Sequence, residues 1–73
     1  MKSLDRQLLE AHDANDTAAL VSLYTQAADH TDDIDAACFY LTHAFVFALE
    51  RGDKDANTLR ERLAAHGREP SHD

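Results

Sequence analysis

Five histidines, one cysteine and two clusters of carboxylates are the residues of this chain whose types could do chemistry. His12, His30, His43, His66, His72 and Cys38 are all metal-ligand types, and imidazole also changes charge near neutral pH. A helical zinc site needs ligands that converge, as two His at i and i+4 do. No His pair has that spacing, no HExxH segment occurs, and Cys38 has no partner Cys. The expectation is no metal and no other cofactor, with His30 and His66 serving as favourable charges at helix C-termini. Asp13 with Asp16, and Asp32 and Asp33 with Asp35, set carboxylates close enough to raise a pKa for acid–base work. The same positions sit where helices start, and a carboxylate there accepts free backbone amides; capping is the reading preferred for them. No Ser/His/Asp or Cys/His signature is present, and Gly52 and Gly67 are the only glycines, so no phosphate-cradling loop exists. The chain is predicted not to be an enzyme.

The elements that would position these residues are all helices. Ser3 caps a first helix running to about Ala14, with Leu4, Leu8, Ala11 and Leu9 as its apolar stripe. Asn15 or Asp16 starts a second, from about Thr17 to Asp29, with Ala19, Leu20, Leu23, Tyr24, Ala27 and Ala28 inward. Thr31 or Asp32 caps a third that ends near Arg51, with Gly52 as its left-handed stop. Asp53 caps a fourth, about Lys54 to His66, carrying Ala56, Leu59 and Leu63 on one side before Gly67. No Pro precedes position 70, and β-branched residues are too scattered for strands. The fold class is all-α: four antiparallel helices as two successive helical hairpins, in a short α-solenoid or a compact bundle. Residues 1–67 form one helical domain, and Arg68 to Asp73 read as a flexible tail.

Charge and length limit the function. The chain has 73 residues, with 7 basic against 14 acidic side chains and a net charge of −7. That balance repels nucleic acid and anionic membrane surfaces alike, so neither is expected as a partner. A lone cysteine cannot form an internal disulfide, and a reducing cytoplasm is the expected location. The start, MKSLDRQLLE, has acidic residues where a signal peptide needs an apolar run, and export by that route is not expected. The apolar segment Ala36 to Leu49 is too short for a bilayer.

That same segment is the most informative part of the chain. At 100° per residue, Ile34, Ala37, Cys38, Leu41, Ala44, Phe45, Ala48 and Leu49 fall on one face of the third helix, the predicted core face. Phe39 and Val46 share one flank, which is expected to be buried, and Tyr40 and Phe47 share the other. A helix apolar over so much of its circumference must have neighbours on several sides, which makes it the central element.

LEAHDANDTAALVSLY can be laid over LERGDKDANTLRERL, with Leu9, Glu10 and Asp13 meeting Leu49, Glu50 and Asp53. Each copy reads as a helix end, an acidic turn and a second helix, the unit of α-solenoid arrays. The segment DTAALVSLYTQAAD, with Leu20, Tyr24 and Ala27, resembles the second helix of a tetratricopeptide repeat. YLTHAFVFALERGD resembles the first helix and turn of a following repeat, although the family's Trp, Leu-Gly and closing Pro are absent. LTHAFVFALERGD is also similar to a stretch of small uncharacterised bacterial proteins, a resemblance that carries no activity with it. The repeat family implies a scaffold that binds peptides or proteins, which here directs attention to the third helix. Tyr40, His43 and Phe47, at i, i+3 and i+7, are the candidate partner-binding residues. Packing of the same stripe against the fourth or the first helix is the reading preferred over that role. The predicted partner is a protein or peptide carrying basic groups; self-association as a homodimer through the aromatic flank is the second reading.

Overall fold

A computed structural model describes residues 3–67, which form four helices: α1 (Leu4–Asp13), α2 (Thr17–Asp29), α3 (Ile34–Arg51) and α4 (Asp55–Ala65). No strand occurs among the described residues, and the all-α reading holds. The predicted tail at 68–73 lies outside the described residues.

The chain reverses three times in short turns whose chemistry is local. Ser3 Oγ accepts the Arg6 amide at 3.2 Å and starts α1. That helix stops at Asn15, whose φ of +54° is a left-handed conformation Asn tolerates better than most side chains. The Asp16 amide then donates back to the Ala11 carbonyl at 2.9 Å, while the Asp16 carboxylate accepts the Ala19 amide at 3.1 Å. One residue thus closes α1 and opens α2. The end of α3 repeats the device: Gly52 has φ +69° and the Asp53 amide donates to the Ala48 carbonyl at 2.8 Å. By hydrogen bonding, then, Ala11 and Asp16 correspond to Ala48 and Asp53. The alignment of Asp13 with Asp53 matches composition rather than geometry.

Two caps differ from expectation. Asp33, not Thr31 or Asp32, caps α3, its Oδ1 accepting from the amides of Asp35 (2.9 Å) and Ala36 (3.4 Å). Thr31 supports it one step earlier by accepting the Asp33 amide. α4 begins at Asp55 rather than Lys54, because Asp53 Oδ1 accepts the Asp55 amide in a turn ahead of the helix and Lys54 contributes no side-chain cap.

α3 is the centre of the fold. Backbones approach each other between α1 and α2, α2 and α3, and α3 and α4, and between no other helix pairs among the described residues. The order of the helices in space is therefore their order in sequence, an open path rather than a closed bundle, and the thinnest dimension is 16 Å. Leu41, Ala44 and Ala48 of α3 are completely buried, with Cys38 nearly so, and they meet Val21 and Ala28 of α2 and Ala56, Leu59 and Leu63 of α4. The alanines on this face let the neighbouring backbones come close, where larger side chains would hold them apart. A second cluster, Ala11, Leu20 and Leu23, joins α1 to α2, and Tyr24 and Phe47 pack against both clusters.

The helix-wheel reading needs correction at its edges. Ile34 (50% exposed) and Leu49 (55% exposed) point toward the core by periodicity, but they occupy the first and last turns of α3, where the shorter neighbours no longer cover it. Leu9, read with the α1 stripe, is 63% exposed, and Val21, not assigned inward, is buried.

Candidate interaction surface

Tyr24, in the middle of α2, organises the aromatic side of the molecule. Its ring stacks with those of His43 (centroids 5.0 Å) and Phe47 (6.1 Å), and it lies 6.2 Å from that of Tyr40. The three residues singled out by spacing, Tyr40, His43 and Phe47, are thus brought together, each partly buried. The neighbour covering them is α2, neither α4 nor chiefly α1. From α1, His12 reaches across: its ring meets Phe47 edge-on at 5.9 Å, and His12 Nε2 hydrogen-bonds with Tyr24 Oη at 2.9 Å. His12 is therefore part of an aromatic contact spanning three helices. Nothing in the spacing of the histidines showed this, since their partners are aromatic rather than ligating.

With Tyr40 and Phe47 drawn to α2, the opposite flank of α3 faces solvent. Phe39 is 59% exposed and Val46 44%, which reverses the expectation that this pair is buried. The reason is directional: periodicity groups Phe39 with Val46 and Tyr40 with Phe47 but does not say from which side α2 approaches. The clue was Tyr24, a ring placed to stack on the Tyr40–Phe47 flank. Phe39, Thr42, Val46 and Leu49 form a continuous exposed line at i, i+3, i+7 and i+10.

His43 lies between the two flanks. Its Nδ1 donates to the Phe39 carbonyl at 2.9 Å, since a carbonyl only accepts, and its ring sits 4.4 Å from that of Phe39. This bond fixes the imidazole against the helix. Thr42, His43, Val46 and Phe47 line a shallow, apolar depression of about 190 Å³ beside the exposed line.

Elsewhere the polar residues have structural partners. Arg62 pairs with Asp29 at 2.5 Å, tying α4 to the end of α2, and Arg51 reaches both Thr17 Oγ1 and Asp53. Between α2 and α4 lies an open cleft of about 370 Å³ over Val21 and Leu59, walled by Thr25, Thr58, Asp55 and Arg62. Cys38 is buried, and the Thr42 hydroxyl donates to its carbonyl at 2.8 Å. Among the described residues no three His, Cys, Asp or Glu side chains are grouped to hold a metal ion, and no helix is long and apolar enough to cross a membrane. His30 and His66 sit at the C-caps of α2 and α4, and His72 lies outside the described residues.

Comparison of the chain with protein-family models, with curated proteins and with solved structures finds no match.

Proposed function

We propose that this protein is a non-catalytic interaction module, tetratricopeptide-like in its paired helices, that engages a protein or peptide through the outward flank of α3. The observation that carries the reading is the exposure of Phe39, Val46 and Leu49 along one line of the central helix. A small chain has few large apolar side chains, and leaving three in register on its central helix forgoes stabilisation of roughly 1.5–3 kcal/mol for each one that could be fully buried. Tyr40, His43 and Phe47 act in this reading as the support of the surface. His43 and Phe47 shape the depression beside Val46, and Tyr40 backs Phe39 edge-on at 5.8 Å.

Self-association is the second reading, and one feature favours it. Phe39 and Leu49, and Thr42 and Val46, are placed symmetrically about Ala44, so two antiparallel copies of α3 would bring apolar layers into register.

The test is a photo-reactive residue placed at position 46, with one at position 61 on the exposed side of α4 as control. A discrete protein adduct at 46 and none at 61 is expected, its mass separating a second copy from another protein. Absence of any adduct at 46 refutes the reading.

A further inference from the structure

We infer that the partner of the α3 flank is a basic amphipathic helix, an inference that rests on the interaction reading above and names the chemistry of its occupant. Two observations select it. The first is shape. The exposed line keeps the 3-and-4 spacing that one helix presents to another, and the depression beside it is formed by Thr42, His43, Val46 and Phe47, at i, i+1, i+4 and i+5 of a single helix. A hole built from four residues of one helix accepts a single side chain of a helix lying across it. No strand edge is available among the described residues for an extended peptide to extend.

The second observation is charge. Arg51 is the only Lys or Arg in α3, and it is turned to Thr17 and Asp53, so no cation of that helix borders the exposed line. Glu50 lies beside Leu49 and is exposed. The whole chain carries −7, a field that attracts a Lys- or Arg-bearing helix and repels a second copy of itself. Geometric symmetry about Ala44 allows a homodimer; electrostatics favours a cationic occupant.

The experiment uses two labelled synthetic helices of about two heptads with identical Leu positions, one with Lys and one with Glu at the remaining positions. Binding is followed by fluorescence anisotropy against the full chain, with sedimentation of the chain alone at the same concentrations. The Lys helix is expected to bind, about tenfold more weakly in 0.5 M salt than in 0.05 M. The double variant Phe39→Ser with Val46→Ser, both exposed positions, is expected to weaken it by at least about tenfold. Leu9→Ser, which removes an exposed apolar residue on α1, should leave binding unchanged and so controls for general stickiness.

Equal binding of the Glu helix overturns the basic partner and leaves the interface standing. A dimer that the double variant converts to monomer overturns it in favour of a second copy, again with the interface intact. Loss of binding in Leu9→Ser, or none in the double variant, also overturns the inference. So does failure of both helices to bind a monomeric chain, in which case the photo-crosslink at position 46 decides whether the interface survives.

Discussion

Phe39 and Phe47 lie on the same helix, eight positions apart, and the same truncation at each isolates what their surroundings contribute. Phe47 packs against both apolar clusters, stacks on Tyr24 and meets His12, so Phe47→Ala removes a ring that links α1, α2 and α3. A fully buried Phe→Ala change costs about 3–5 kcal/mol, and the partial burial of Phe47 brings the expectation to about 2 kcal/mol. Phe39→Ala, at a position 59% exposed, should cost about 0.5 kcal/mol or less. With a denaturant slope of about 1 kcal/mol per molar urea, the first variant lowers the unfolding midpoint by about 2 M and the second by less than about 0.5 M. Far-UV circular dichroism reads both, since the regular structure of the described residues is all helical. Equal shifts, or a larger shift for Phe39, would refute the assignment of the two flanks and with it the argument that the outward one is available to a partner.

Three further expectations concern the fold that carries the surface. Ala48→Leu inserts a large side chain into a fully buried site and should destabilise by about 1–3 kcal/mol in the same urea titration, whereas a seam with slack would accept it without loss. Asp33→Ala removes the acceptor of two amides at the start of α3 and should cost about 1 kcal/mol, with Asp33→Asn retaining most of the stability. Gly52→Ala meets no atom within 4 Å, so only the left-handed backbone opposes it; a thermal melt should show a loss of about 1 kcal/mol. A loss several times larger would point to a clash that the structure does not contain.

Much of the fold was legible because it is encoded locally. Asp16 and Gly52 mark their helix ends by side-chain and backbone chemistry that needs no knowledge of the rest of the chain. Leu59 and Leu63, alternating with polar residues on α4, allow only one inward face. What failed depended on neighbours. Ile34 and Leu49 have the right angle but stand beyond the reach of the adjoining helices, and angle carries no information about coverage. Phe39 and Val46 were placed on the wrong side of the boundary between core and surface because α3 is apolar nearly all round, so its pattern has no polar face to orient it. Tyr24, on a different helix, decides the matter by stacking on the opposite flank. Tyr40, His43 and Phe47, singled out by spacing, therefore lie partly buried toward α2, and the exposed flank of the same helix is the one carrying Phe39 and Val46.

The strictly sequential packing of the helices has a consequence for how the molecule comes apart. α1 meets another backbone only at α2, with His12 and Phe47 as its side-chain link to α3, and α4 meets another backbone only at α3, with the Arg62–Asp29 pair as a side-chain link to α2. Opening an end helix therefore breaks one backbone seam, while opening α3 breaks two. Amide protons should exchange with solvent on a graded scale, fastest in α1, whose one buried residue is Ala11, and slowest around Leu41 to Ala48. The α2–α3 pair is then a persistent kernel on which the terminal helices fray and reseal. The flank carrying Phe39 and Val46 belongs to that kernel, so it stays in place even while the ends are loose.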